Sequence, residues 1–205
     1  MSNENNIVGT NVKITTADPS ALGVFGLAMV TLVASSQKLG ITSGYSFVIP
    51  WALFLGSAAQ LIACFNDFKL KNLFGATAFG GYGLFWLAVA ASWLIKMGAF
   101  GPELAANVDM RQLGMAFIGY LIFTLYLTVA ALNTNKVLFA VIFMINILFA
   151  ALALDAFGCC CAPWGKIAGV AELMISLTGF YLSAAAVING QYGREILPLG
   201  KKMWS

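Results

Sequence analysis

The chain has 205 residues, of which 60% are hydrophobic and 9% charged, with 11 Lys and Arg against 8 Asp and Glu and no histidine. Soluble domains carry roughly 25% charged residues, so composition excludes a water-soluble fold. A net charge of +3 spread over the loops gives no nucleic-acid footprint, and the lack of histidine removes the commonest metal ligand and the usual neutral-pH proton shuttle.

The first residues, Ser2 to Thr16, are polar and show no basic stretch leading into an apolar one, so no cleavable signal peptide is predicted. A mobile tail is expected over 1–17, a transmembrane domain over 18–190 and a C-terminal tail over 191–205. Six apolar runs fill the middle, each near the ~20 residues that cross a hydrocarbon core as a helix. The first is predicted over Ser20–Ser36, with Asp18 as N-cap and Pro19 in the first helical position. The second is predicted over Tyr45–Phe65, with Pro50 in its first turns, and the third over Leu73–Met97. The fourth follows over Gln112–Leu132, the fifth over Val137–Phe157 and the sixth over Trp164–Ile188. The connections are short except Gly98 to Arg111, so the fold class is an all-α membrane bundle of one domain. Six spans put both termini on one side, together with Lys13, Lys69, Lys71, Lys136, Arg194, Lys201 and Lys202. Lys38, Lys96, Arg111 and Lys166 fall on the other. Seven against four predicts termini inside.

Small residues recur at helical spacing: Ala52 and Gly56, Ala76 and Gly80, Gly165 and Gly169. Such pairs let transmembrane helices approach closely, within the bundle or between subunits. Polar side chains form narrow stripes: Thr31 and Ser35, Ser57 and Gln60, Thr124 and Thr128, Asn146 alone, Glu172 and Ser176. In lipid such groups need partners, so they bond between helices or line a water path. Phe79, Tyr82 and Trp86 stack on one face of the third span, as packing or as a pore wall. Glu172 is the one charge near the middle of a span. It reads as a protonatable group beside a path or as an acid at an interface, with Asn146 or Gln60 as candidate partners and Lys166 on another face. Cys159, Cys160 and Cys161 match neither metal nor redox spacing. They are small residues at a helix end, or sites of S-acylation. No H-E-x-x-H, G-x-S-x-G or phosphate loop points to an enzyme. No metal site and no cofactor is expected.

Several segments in order resemble the acetate uptake transporter family. Asp18-Pro19-Ser20-Ala21-Leu22-Gly23 is similar to its opening N-P-A-P-L-G signature. Gln60, the run Phe74 to Trp86, Phe123-Thr124-Leu125 and the tail Gln191 to Pro198 follow in the family's order. The resemblance covers roughly Asp18 to Gly200. It implies a six-helix channel-like protomer similar in architecture to the urea and amide channels, self-associating as a homohexamer in a cell membrane. It implies passage of acetate and related small monocarboxylates, with succinate a further candidate, by a channel or a proton-coupled route. It also implies a constriction at Leu27, Tyr82 and Ile145. Tyr82 is the identity there, Leu27 stands for a phenylalanine and Ile145 for a leucine. Asp18 replaces the signature asparagine, Ala21 its second proline, and Glu172 a small residue of some members. The start of the first span, a helix N-terminus, is then a candidate carboxylate site. Phe79, Trp86, Gln60 and Asn146 are further candidates along the path. A channel for a neutral solute such as urea or a short amide, and a membrane sensor without flux, are the other functions the sequence allows.

Overall fold

The computed structural model describes residues 16–204. Residues 1–15 of the expected tail, with Lys13, and Ser205 lie outside the described residues. Six helices are long and apolar enough to cross a membrane: α1 (Ser20–Lys38), α2 (Val48–Lys69), α3 (Leu73–Lys96), α4 (Met110–Ala131), α5 (Lys136–Ala156) and α6 (Trp164–Tyr192). The long connection between α3 and α4 holds a short helix, Pro102–Ala106. Among the described residues there is no strand.

The helices form a ring in chain order. α1 packs on α2, α2 on α3, α4 on α5 and α5 on α6, and the extensive α1–α6 contact closes the ring. Between helices in lipid there is little hydrophobic driving force, so van der Waals fit and interhelical hydrogen bonds hold the bundle. The Ser176 hydroxyl donates to the Ala28 carbonyl at 2.8 Å and the Ser183 hydroxyl to that of Ala21 at 2.8 Å, tying α6 to α1. The backbones of α3 and α4 lie farther apart, and aromatic side chains fill the seam. Phe85 meets Tyr120 with ring centroids 4.9 Å apart, and the Tyr120 hydroxyl donates to the Gly81 carbonyl at 3.0 Å.

Two close approaches depend on glycine. A Cβ on Gly26 would collide with the Leu55 carbonyl oxygen of α2. That carbonyl belongs to Ala52–Ala59, a stretch of wide π turns within α2, and such turns redirect backbone groups out of the helical ladder. A Cβ on Gly169 would lie 2.9 Å from the Lys38 Cβ, so the end of α1 rests directly on α6. Gly56 and Gly80 likewise face side chains of the same protomer, Trp86 and Cys64. Gly56, Gly80 and Gly169 of the small-residue pairs thus pack inside the bundle.

The expected spans are recovered with shifted ends. α2 starts later than Tyr45 and runs past Phe65 to Lys69. Its last turns carry Asn66, Asp67 and Lys69, which read as loop in sequence, but Asp67 turns inward and is buried. α6 continues past Ile188 to Tyr192 and stops at Gly193, whose φ of 63° is the left-handed conformation suited to glycine. The cap of α1 also differs from expectation. Pro19, with helical φ of −76°, occupies the cap position rather than the first turn. Asp18, one residue earlier, still accepts the Ser20 N–H on Oδ1 at 2.9 Å. The segment expected as a C-terminal tail is docked. Asn189 Oδ1 accepts the N–H groups of Ile196 and Leu197, the Tyr181 hydroxyl donates to the Pro198 carbonyl, and the Val137 N–H bonds the Leu199 carbonyl.

Candidate functional site

Two cavities enter the bundle from opposite ends. The first, about 190 Å³, opens at the end of the bundle where α1 starts and α6 ends. Its mouth carries Asp18, Asn72 and Asn135, and Leu199 of the docked C-terminal segment. These three polar residues stand at the starts of α1, α3 and α5, each with a side-chain oxygen on a free helical N–H: Asp18 on Ser20, Asn72 on Gly75 at 3.1 Å, Asn135 on Leu138 at 2.9 Å. Three positive helix ends thus converge on one vestibule. Its walls include Phe79, Gln60 and Val24, and its floor is Leu27, Tyr82 and Ile142.

The second cavity, about 290 Å³, opens on the other side. Phe85, Trp86 and Phe117 form its floor, with Lys38, Asp155 and Glu172 along its walls. Tyr82 and Phe85 lie three residues apart on α3, so about 4.5 Å of helix rise separates the two floors. The layer between them is apolar and partly aromatic. Leu27, Tyr82, Ile145 and Phe149 are 7%, 4%, 3% and 1% exposed, which closes the passage. Tyr82 stacks on Phe149 with centroids 6.4 Å apart, and Phe85 meets Phe149 edge-on at 5.0 Å.

The stripe of Phe79, Tyr82 and Trp86 therefore runs through the closure: Phe79 in the first vestibule, Tyr82 in the layer, Trp86 in the second vestibule. Leu27 and Tyr82 both line the first cavity. Ile145 is buried in the same layer, while Ile142, one turn nearer the first vestibule, lines the cavity itself. The direction of one hydrogen bond is settled by its neighbours. Thr124 Oγ1 spends its proton on the Tyr120 carbonyl at 2.8 Å, so the Tyr82 hydroxyl, 3.0 Å away, donates to Thr124. Gln60 is fully buried on the vestibule wall. Its Nε2 donates to the Gly56 carbonyl at 2.7 Å, and its Oε1 has no partner among the described residues.

Asn146 is not brought to either cavity. Its Nδ2 donates to Thr128 Oγ1 at 2.7 Å, joining α5 to α4, which is the interhelical reading of that residue. Of the opening signature, Asp18 and Pro19 shape the start of α1. Gly23 lies against Phe79 and Ala63, and Leu22 points outward. The partners expected for Glu172 are corrected: neither Asn146 nor Gln60 reaches it. Lys38 Nζ lies 3.0 Å from both Oε1 and Oε2. Lys38 ends α1 and had read as a loop residue. The Gly169 approach carries it three residues along α6 from Glu172, on the same face.

Asp67 was missed. It is 1% exposed, with Oδ1 accepting from Asn72 Nδ2 at 3.0 Å and Oδ2 unpartnered among the described residues. The signal was present: Gln60, Ala63, Cys64 and Asp67 recur at helical spacing and form one buried face. No group of three or more Cys, Asp or Glu side chains is gathered at metal-binding range among the described residues.

The comparisons bear on this arrangement. The chain is 31% identical over 194 residues to the succinate-acetate/proton symporter SatP of Escherichia coli K12, covering 90% of this chain and 96% of that protein. It is 26% identical over 203 residues to acetate permease A of Emericella nidulans, covering 92% of this chain and 67% of that one. Its fold matches the solved structure of the bacterial acetate channel SatP with a TM-score of 0.83 at 30% identity, over 91% of this chain and all of that one. The model of the GPR1/FUN34/yaaH family matches residues 4–197. A match across nearly the whole sequence, on a six-span bundle with two facing vestibules, shows that the chain belongs to the GPR1/FUN34/yaaH family.

Proposed function

We propose that this protein carries acetate and related small monocarboxylates across a membrane, through a path inside each protomer that narrows at Leu27, Tyr82 and Ile145. The observation that carries the reading is the pair of vestibules facing each other across one aromatic layer, one of them rimmed by three helix N-termini. Helix N-termini favour anions, so they concentrate carboxylates at that mouth. An apolar closure then selects against strongly hydrated ions, because shedding water in low dielectric is costly. Phe79, Gln60 and Trp86 line the approaches, and Asp18 tunes the charge of the first mouth. The relatives named for acetate and succinate support the substrate class. Glu172 is the protonatable group, at the second vestibule. The unit runs over 18–190, with the described part of the 191–205 segment, to residue 204, docked beneath it. It assembles as a homohexamer in the plasma membrane with both termini cytoplasmic, and performs transport rather than catalysis.

Uptake of labelled acetate into proteoliposomes tests the reading. Saturable uptake above protein-free vesicles, competed by succinate and other short carboxylates, is expected. Competition by urea alone would assign a neutral solute, and absence of any flux would assign a sensor.

A further inference from the structure

The second vestibule holds the one basic side chain that lines it beside a buried acid. Lys38 Nζ sits 3.0 Å from each carboxylate oxygen of Glu172, with the two side chains 16% and 2% exposed. An ammonium has three N–H donors. Two face Glu172, and the third finds no acceptor among the described residues, in a cavity of about 290 Å³. The end of the Glu172 side chain, a methylene bearing a carboxylate, is chemically a tethered acetate. The structure thus displays the permeant's own head group already seated on a lysine.

We propose, resting on the transport reading, that Lys38 is a carboxylate-binding site at the second vestibule and that Glu172 is its displaceable internal ligand. A proton from the vestibule lands on a Glu172 oxygen, the Lys38–Glu172 ion pair breaks, and a free carboxylate pairs with Lys38 in its place. One proton and one anion enter together, so the net charge of the vestibule does not change. The geometry suits an exchange. Lys38 is the last residue of α1, its stem lies on Gly169, and Gly40 follows with φ of 78°, so the ammonium is carried on a chain end rather than mid-helix. Removing one member of a buried pair leaves a costly lone charge. Proton and anion must therefore arrive together, which couples them. The other titratable groups of this cavity are Asp155 at the end of α5 and Tyr45 in the α1–α2 connection. α3 and α4 contribute apolar and aromatic side chains, and Lys166 lies on α6 itself, outside the cavity lining. No other cation competes with Lys38 for the incoming carboxylate there.

The test compares wild type, Lys38→Gln and Glu172→Gln in labelled-acetate exchange across proteoliposomes, with equal pH on both faces and protein-free vesicles subtracted. In the wild type, KM for acetate falls as pH falls. Glu172→Gln leaves Lys38 without its internal ligand, so its KM stays low and flat with pH. Lys38→Gln removes the cation and raises KM at acid pH about tenfold, the loss expected for one charge-assisted hydrogen bond. Opposite shifts in the two variants support the proposal. Equal KM values, with both variants melting below wild type, would reduce the pair to a clamp between α1 and α6 and overturn it. A wild type with no exchange above protein-free vesicles would overturn the transport reading itself. Infrared difference spectra with isotope-labelled acetate do not depend on the lysine variant folding. Acetate added at acid pH should produce a protonated-carboxyl band that Glu172→Gln lacks, and its absence from the wild type overturns the proposal.

Discussion

Tyr82 owes its position to its hydroxyl as much as to its ring. The ring fills the closure, and the hydroxyl, donating to Thr124, fixes it across the α3–α4 seam. Tyr82→Phe should keep the closure and lose about 1 kcal/mol of stability, since one neutral hydrogen bond goes. Tyr82→Ala should open the layer and broaden the range of acids carried while the protein still assembles. Competition profiles and detergent melting curves check both. Unchanged competition in Tyr82→Ala would reassign the residue to packing. Asp18 sits at the first mouth with Oδ1 on the Ser20 N–H, so the start of α1 already holds a carboxylate, its own. Asn caps a helix as well as Asp and carries no charge. Asp18→Asn should fold as wild type and raise acetate uptake at neutral pH, and uptake equal to wild type at every pH would confine Asp18 to capping. At this scale the sequence was readable where periodicity marks a face. Phe79, Tyr82 and Trp86 follow the helical repeat, and all three line one or other of the two cavities. Asp67 was readable only from the helical repeat of Gln60, Ala63, Cys64 and Asp67, and the half-buried Lys38 was not readable at all. Charges beside a span end read as surface, and the Gly169 approach and the inward turn of α2 bring these two inward. Asn146 Nδ2 bonds a neighbouring threonine, while its buried Oδ1 has no partner among the described residues.

The helices α1 and α2 meet backbone to backbone at Gly26 and Leu55, where the wide turns of Ala52–Ala59 push a carbonyl toward α1. A methyl at position 26 meets main chain, which cannot rotate aside. Gly26→Ala should therefore cost about 1–3 kcal/mol, the usual range for overpacking. Thermal unfolding in detergent reads this directly, and an unshifted melting temperature would show that α2 yields freely at its π turns. The same wide turns explain one limit of the sequence reading. Nothing in the sequence of Ala52–Ala59 marks it as other than an ordinary apolar helix, although in the structure it packs on both α1 and α3. Helix number and approximate span were legible, because twenty apolar residues admit one structure in lipid. The ends were less so. The first-turn capping of α3, α4 and α5 by Asn72, Asp109 and Asn135 follows known cap preferences, yet polar residues beyond an apolar run give no ruler for the last turn. At the start of α4, hydrogen bonds from Arg111 hold the Asp109 carboxyl below the usual carboxylate range. Its cap is therefore kept at neutral and mildly acid pH and is lost only as pH falls through that lowered value.

The whole molecule presents two unlike faces. The start of α1, the end of α6, Lys69, Lys71 and Lys136 lie on one, and Lys38, Lys96 and the Cys159–Cys161 run on the other. The three cysteines are exposed while Cys64 is buried, so the chain carries its own topology probe. With the termini cytoplasmic, an impermeant thiol reagent added to intact cells should label Cys159–Cys161 without prior lysis. Labelling that requires lysis would invert the orientation. The aromatic seam between α3 and α4, the three helix starts at one mouth and the ion pair at the other are the features on which the proposed passage between the two vestibules rests. Leu27 is the residue on which that claim turns, since it lines the first cavity and belongs to the closing layer. The most direct measurement uses Leu27→Cys in a chain whose native cysteines are replaced by serine, reconstituted and treated with a small thiol reagent. The account predicts that modification, verified by mass spectrometry, abolishes acetate uptake and that acetate slows the modification. Full modification with uptake unchanged would contradict a path through Leu27, Tyr82 and Ile145.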